Sequence, residues 1–307
     1  IGRFVDHFRT EKGKRIFLNK NFLLKIILLF LFIFALPWRS SLLYIILILY
    51  FFEFLKFLHD FFKKQILKPV FTKKIIFLSS FAILFTLFYF FSFFQNKDLL
   101  VFWLLTFDIL APPIFSGIVL IFQPITFILR SLIIQKAKRK REKFQDLLVI
   151  GICGSYGKTS TKEFLATILE EKFPGKVLKT KEHQNSEVGI SKCILEDLNE
   201  SHKIFIVEMG AYNKGGVKLL CDIVKPKIGI ITGVNEQHLA LFGSMENLIS
   251  AEGGKELIES LPEDGLVIFN GENEILRKIY KETRIKKKIV GISKKEFDLW
   301  AGNIKVK

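Results

Sequence analysis

A glycine-rich turn between an apolar strand and a helix restricts the fold more than any other feature. The apolar segment Leu147–Ile152 predicts a buried strand, and a helical pattern that includes Phe164 and Ile168 starts near Lys158. In this context backbone N–H groups can turn around phosphate oxygens, and the helix N-terminus adds partial positive charge. Lys158 would reach the β- and γ-phosphates, and the Thr159 hydroxyl would ligate Mg²⁺. The sequence therefore predicts a phosphate-binding loop.

The match to the common phosphate-loop pattern is incomplete, because that pattern has a glycine where this chain has Ile152. The alternative is a glycine-rich turn with an unrelated lysine. Agreement of strand, loop and helix favours the phosphate-binding interpretation. The residues predicted to bind nucleotide in this loop are Gly154, Ser155, Gly157, Lys158, Thr159 and Ser160.

The second half of the chain alternates short apolar runs with helical patterns. Such alternation predicts an α/β fold, a phosphate-loop parallel sheet with helices on both faces, and ligands at the carboxyl ends of its strands. The predicted strands are 147–152, 177–180, 203–209, 227–232, 266–269 and 288–292. The predicted helices are 158–172, 188–198, 215–224, 245–261 and 274–283.

Two further candidate sites follow predicted strands. Glu208 ends the apolar run 204–207, where a carboxylate could hold Mg²⁺; the alternative is an acid on the surface. Asn235 and His238 follow the strand 227–232. Asn235 could bond a nucleotide base, and His238 could ligate a second metal or position a phosphate, although a single histidine is more often structural.

The first half of the chain is built from apolar runs. Most of the 34 phenylalanines lie before residue 130, and the net charge of the chain is +16. Lysine and arginine concentrate before the first run, between the second and third, and after the fourth. By the positive-inside rule this predicts an all-α membrane region of about four transmembrane helices with both ends cytoplasmic. The alternative is the buried helical core of a soluble protein. The four runs are 22–36, 41–58, 75–94 and 99–122.

Other polar residues of this half have simpler interpretations. Asp108, inside the fourth run, is a functional candidate by position, but we favour a residue that faces other helices or precedes a break near Pro112. The basic block 136–143 suits anionic lipid headgroups better than nucleic acid, since no nucleic-acid recognition module accompanies it. The three cysteines show no C-x-x-C pattern, which predicts neither a zinc site nor a disulfide and suits a reducing compartment.

Five ordered segments resemble the central ATP-binding domain of the Mur ligases. The resemblance implies Mg²⁺ at Glu208, substrate binding by Asn185, and nucleotide contacts by Asn235 and Asn270. It also implies catalytic roles for Lys158 and His238, and metal contacts by Thr159, Glu208 and His238. The segments are GICGSYGKTSTKE, QNSEVGI, VEMGAYNKGG, GVNEQHLALFGSMENL and VIFNGEN.

The chain also departs from the family. Gly189-Ile190-Ser191 stands where the family has G-x-P, and Ala251–Glu256 replaces its A-K-x-E segment, so Lys255 receives no role. The expected domains are a membrane region over 1–145, the ATP-binding domain over 146–296 and the start of a C-terminal segment over 297–307. Since the chain begins at Ile1 and stops at Lys307, we expect further sequence on both sides.

The resemblance implies a membrane-anchored, ATP- and Mg²⁺-dependent amide ligase of peptidoglycan precursor synthesis. It would add D-Ala-D-Ala to a UDP-MurNAc-tripeptide through an acyl phosphate, with the ATP-binding domain on the cytoplasmic side of a bacterial inner or plasma membrane. The alternatives are a non-ligating nucleotide-binding scaffold and a related ligase of the folylpolyglutamate or cyanophycin type. The sequence leaves the oligomeric state open.

Overall fold

The computed structural model of the chain describes residues 20–34, 38–64, 73–93 and 100–302. The chain divides into two compact units, Ile1–Phe127 and Ile128–Lys307. The domain limits expected from the sequence stay predictions. The basic N-terminal segment, most of the basic loop after the second apolar run and the polar turn 95–98 lie outside the described residues.

The first unit contains helices on all four apolar runs. They are α1 (Lys20–Phe34), α2 (Arg39–Phe62), α3 (Lys73–Phe93) and α4 (Leu100–Glu142), the last of which continues into the second unit. Among the described residues, two helical segments are long and apolar enough to cross a membrane, Ser41–Phe62 and Phe102–Glu142. The structure therefore offers two candidate spans, where the sequence predicted four. The expected break near Pro112 is also wrong, because α4 runs through it.

A polar cluster lies among these apolar helices. Lys25 Nζ on α1 lies 2.7 Å from Glu53 Oε2 on α2 and also bonds Asp108 Oδ2 on α4. The Tyr50 hydroxyl donates to Asp108 over 3.2 Å. Asp108 thus contacts the neighbouring helices α1 and α2, and a buried lysine in an apolar bundle has carboxylate partners.

The second unit is an α/β structure. Its strands form one parallel sheet in the order β2-β3-β1-β4-β5-β6-β7, which confirms the predicted sheet and adds a short seventh strand. The strands are β1 (Leu148–Cys153), β2 (Val177–Lys179), β3 (Ile204–Glu208), β4 (Ile228–Ile231), β5 (Leu266–Asn270), β6 (Lys286–Gly291) and β7 (Leu299–Trp300). The helices after α4 are α5 (Lys158–Lys172), α6 (Glu187–Glu196), α7 (Gly216–Val224), α8 (Leu239–Phe242), α9 (Met245–Ala251), α10 (Lys255–Ser260) and α11 (Glu274–Glu282).

Helices cover both faces of the sheet because side chains alternate along each strand. One face packs the isoleucines of β1 and β3, such as Ile152 and Ile206, against Ala166 of α5. The opposite face packs Val149 and Phe205 into a larger core with the remaining helices. The strands are buried on both sides, as parallel sheets usually are.

The predicted helix 245–261 is wrong in one respect, because the structure divides it into α9 and α10. Gly254, between them, has φ of +82°, and a Cβ there would clash with the Ile231 side chain. A left-handed residue in such close contact has to be glycine. The break leaves Glu252 in the connection between the two helices, where its side chain contacts Ser155 and His238.

The end of α4 belongs to the core of the second unit. Ala137 is fully buried there, and the Arg141 guanidinium bonds the carbonyl oxygens of Val224, Phe144 and Leu147 at 2.9, 2.7 and 3.3 Å. The carbonyl of Val224 is among those left open at the end of α7, so Arg141 caps that helix.

Candidate functional site

The phosphate-loop candidate lies at the carboxyl edge of the sheet, between β1 and α5. Gly154 has φ of +142° and Gly157 has φ of +76°, so both use backbone conformations that favour glycine. A Cβ on Gly154 would clash with the Thr232 side chain, which shows how closely the loop passes β4. The Ser155 N–H donates to the Gly233 carbonyl over 2.7 Å and fixes the loop against the segment that follows β4.

The loop ends at the N-terminus of α5. Gly157 caps this helix with its backbone alone, so the N–H groups of the first turn face the loop. Lys158 begins the helix, and its Nζ lies 2.5 Å from the Gly154 carbonyl oxygen, which places an ammonium group over the loop. Thr159 and Ser160 follow in the exposed first turn. Backbone N–H groups, a lysine and a helix N-terminus together suit a phosphate chain.

The side chain of Glu208, the last residue of β3, forms hydrogen bonds with three other side chains of the candidate site. Its register partner on β1 is Ile152, directly before the loop. Its Oε2 accepts from the Thr159 hydroxyl at 2.9 Å and from Lys162 Nζ at 3.3 Å, and its Oε1 accepts from Asn185 at 3.2 Å. The structure therefore brings Thr159 and Glu208 together, as a shared metal site requires, and adds Asn185 to them; the roles of the three residues stay predictions.

The donor set at Glu208 fits Mg²⁺. A hydroxyl and a carboxylate, both hard oxygen donors, lie beside a phosphate site, and Mg²⁺ commonly takes one or two carboxylates with the remaining positions filled by phosphate and water. Among the described residues no group of three or more His, Cys, Asp or Glu side chains could hold a metal. A metal here would depend on Thr159, Glu208 and the phosphates themselves.

His238 contacts a buried carboxylate that the sequence analysis did not single out, and its role toward metal or phosphate stays a prediction. Its Nδ1 lies 2.8 Å from Oε1 of Glu252, a carboxylate that is 4% exposed. Glu252 Oε2 also accepts from the Ser155 hydroxyl at 2.6 Å, and the Asn235 N–H donates to the same hydroxyl over 3.2 Å. His238 thus joins a network beneath the phosphate loop, and its described contacts do not include Glu208.

The two asparagines proposed for the nucleotide are engaged by the chain itself. The Asn235 side chain accepts from the Gln237 N–H at 3.1 Å and so caps the short 3₁₀ turn Glu236–His238. Asn270 donates to the Thr232 carbonyl over 2.8 Å and ties the end of β5 to the end of β4. Both hold the edge of the site in shape.

Sequence reasoning missed Lys162 and Glu252. Both are buried, and each meets a residue far along the chain, Glu208 for Lys162 and Ser155 for Glu252, so no local pattern marked them. One signal was available for Glu252: it occupies the altered segment that follows the F-G-S motif. In that segment Lys255 is exposed, whereas Glu256 is buried and accepts from the Gly215 and Lys218 N–H groups at the start of α7.

Known proteins share this domain. Residues 152–307 match the Mur ligase middle domain. The chain is 41% identical over 136 residues to UDP-N-acetylmuramoyl-tripeptide–D-alanyl-D-alanine ligase of Synechocystis. The aligned region covers 44% of this chain and 29% of that protein. It is 35% identical over 132 residues to the enzyme of that name from Bacillus subtilis, covering 43% and 28%.

A solved structure shows the same architecture. MurF from Acinetobacter baumannii superposes with a TM-score of 0.51 at 25% identity, covering 58% of this chain and 38% of that one. The chain spans less than a third of the length of the curated relatives above, so the likeness concerns one domain. Because the match to the middle domain extends over half of the sequence, the chain belongs to the Mur ligase family.

Proposed function

We propose that the full protein is an ATP-dependent amide ligase that adds D-Ala-D-Ala to a UDP-MurNAc-tripeptide in peptidoglycan precursor synthesis. The relatives named above carry that activity in their names. The observation that carries the proposal is the contact of 2.9 Å between Thr159 and Glu208, directly beside Lys158. A hydroxyl and a carboxylate placed to hold Mg²⁺ beside a lysine are the groups that phosphoryl transfer requires at the nucleotide.

In the proposed reaction, the tripeptide carboxylate attacks the γ-phosphorus of ATP and forms an acyl phosphate and ADP. The amine of the dipeptide then displaces phosphate to give the amide. The first step brings two anions together, so positioning and electrostatic stabilisation supply most of the catalysis. Lys158 places a positive charge at the phosphates, and the first-turn N–H groups of α5 orient them.

Thr159 and Glu208 would hold Mg²⁺, which neutralises phosphate charge when bound. Asn185, which the resemblance assigns to substrate binding, donates a hydrogen bond to Glu208. His238 acts through its position beneath the loop, where Glu252 fixes its Nδ1 and leaves Nε2 available to a phosphate oxygen or metal.

The test is phosphate release by the full-length protein with tripeptide precursor, ATP and dipeptide. Release that depends on D-Ala-D-Ala is expected, and release without such dependence would refute the substrate assignment. Lys158→Ala should lower turnover by about 100-fold or more without unfolding the protein. Lys172→Ala, on the exposed face of the same helix, is the matched control and should keep activity.

A second candidate, a nucleotide-binding scaffold without ligase activity, is favoured by one observation. The segment that departs from the family places Glu252 at the loop and Lys255 in solvent. ATP binding by the full protein without amide product for any tested amine would support the scaffold. Amide formation with glutamate or another amino acid, but not the dipeptide, would instead support a related ligase.

We also propose attachment to a membrane through the two candidate spans. Phenylalanines of α2 are exposed by more than half, among them Phe52 at 63% and Phe57 at 54%. Such surfaces are stable in lipid and costly in water. Carbonate-washed membranes from cells that express the full protein should retain it, and release into the soluble fraction would refute attachment.

A further inference from the structure

Lys162 is a lysine at a position where the helix pattern requires an apolar residue. On α5, residues 162, 165, 166 and 169 recur at helical spacing toward the sheet. Lys162 is fully buried, while the nearby Phe164 and Ile168 are 72% and 66% exposed. Burying an ammonium group is unfavourable unless a partner compensates its charge, so the groups that contact Lys162 indicate why a lysine is present there.

The partners of Lys162 are two carboxylates. Its Nζ lies 3.3 Å from Glu208 Oε2 and 3.4 Å from Glu163 Oε1. The Glu163 side chain is 45% exposed and also pairs with Lys179, whereas the Glu208 side chain is 7% exposed. Solvent can therefore stabilise Glu163 without Lys162. Glu208 depends on the charge of Lys162, with neutral donors from Thr159 and Asn185.

We propose that Lys162 is a positioning residue that holds the Glu208 carboxylate in place for the metal of the nucleotide site. The inference rests on the proposed function only in so far as that function includes MgATP binding. Lys162 and Thr159 both contact Oε2, which fixes the rotation of the carboxylate about its bond to the chain. The positive charge of Lys162 also offsets the cost of burying the Glu208 carboxylate when no nucleotide is bound.

A residue that only fills space predicts a different result. Methionine is similar to lysine in length and is apolar, so if Lys162 only filled space, Lys162→Met would leave the effect of Mg²⁺ on ATP affinity unchanged. A loss of stability does not distinguish the two roles, because removing one partner of a buried ion pair is destabilising in either case. As a positioning residue, Lys162 controls a carboxylate that acts on metal. Partners of this kind typically change metal affinity by about 10- to 100-fold when removed.

The experiment measures ATP affinity of the full-length protein by calorimetry, with Mg²⁺ and with EDTA. In Lys162→Met we expect the gain in affinity that Mg²⁺ confers to fall by about tenfold or more, with little change in EDTA. Lys179→Met, which removes the exposed partner of Glu163, is the control and should keep the gain. An unchanged gain in Lys162→Met would overturn the proposal.

A double-mutant cycle with Glu208→Gln makes the test specific. Once Glu208 is neutral, Lys162→Met should have no further effect on the gain from Mg²⁺, and an additional independent loss would overturn the proposal. If Lys162→Met does not fold, Lys162→Gln keeps a donor without the charge and is expected to lose the same gain; an intact gain there also overturns it.

These outcomes are separate from the ligase assignment. A protein that binds MgATP with the expected Lys162 dependence but forms no amide refutes the ligase and leaves the inference intact. Wild-type protein whose ATP affinity does not respond to Mg²⁺ overturns the inference, whatever its product.

Discussion

The Nδ1 atom of His238 lies 2.8 Å from Oε1 of Glu252, and the other oxygen of this carboxylate holds the Ser155 hydroxyl. An ionised carboxylate only accepts hydrogen bonds, so Nδ1 carries the proton of this contact. The histidine is thereby oriented by a residue that also fixes the phosphate loop. The two halves of the candidate site, the loop after β1 and the turn after β4, share one buried anchor.

Glu252→Ala should therefore weaken both stability and nucleotide binding. The Ser155 hydroxyl loses its acceptor, which costs about 1–3 kcal/mol of unfolding free energy, and ATP affinity falls by about tenfold as the loop loosens. Urea unfolding and calorimetry measure the two effects. Glu259→Ala, on the exposed side of α10, is the control. Wild-type values in Glu252→Ala would contradict the anchor.

Gly154→Ala should abolish ATP binding. The new Cβ would clash with Thr232 and meet the Gly233 carbonyl oxygen at 3.0 Å, so the loop has to move. Gly175→Ala is the control for a glycine of positive φ, +69°, because no atom lies within 4 Å of the added carbon. Thermal shift with and without MgATP distinguishes the two. Equal ligand protection in both variants would refute the steric explanation.

Arg141→Met should destabilise the second unit by about 3 kcal/mol, because it removes a charged donor from three carbonyl groups. Arg139→Met, on the exposed side of the same helix, should change stability by less than about 0.5 kcal/mol. Chemical unfolding of the full protein provides the measurement. Similar values for both variants would show that the α4 end does not contribute to the core.

The buried thiols should make stability depend on alkaline pH. Burial raises the pKa of Cys193 and of Cys221 to about 12, above the ordinary value of 9.0. Above pH 9.0 the unfolded thiols lose protons that the folded thiols keep, so stability is complete below that pH and declines as the pH rises beyond it. Urea unfolding from pH 7 to pH 10 measures the decline.

Alkylation checks the same thiols independently. Because the thiolate is the nucleophile, iodoacetamide at pH 8 should modify the folded protein slowly and the urea-unfolded protein fast. Rapid labelling of Cys193 or Cys221 in the folded state would contradict their burial.

Much of the fold followed from local patterns. The glycine spacing predicted the loop, and the apolar run before Glu208 predicted a strand that ends at the site. The meeting of Thr159 and Glu208 was predictable because strand ends share one edge of a parallel sheet, whereas the contact of Asn185 with Glu208 was not predicted. The sequence predicted four spans, but α1 has only 15 residues and the apolar part of α3, Ile75–Phe91, is also shorter than a candidate span.

The missed features depend on contacts between distant segments. The sequence pattern of α5 counted Phe164 and Ile168, yet these are exposed, and Lys162 takes an inward position because a carboxylate 46 residues later faces it. The break between α9 and α10 was marked by two adjacent glycines, but the tight approach of Gly254 to Ile231 arises from packing.

Glu208 accepts hydrogen bonds from α5 and from the segment before α6, and its own N–H donates to Thr180 after β2. A substitution in any one of these three stretches would therefore alter the surroundings of Glu208. The full set of hydrogen bonds at Glu208 forms only when all three stretches are in their folded positions. The glycine loop could not be transplanted as a short peptide and retain its acidic partner, because that partner is assembled by the whole sheet.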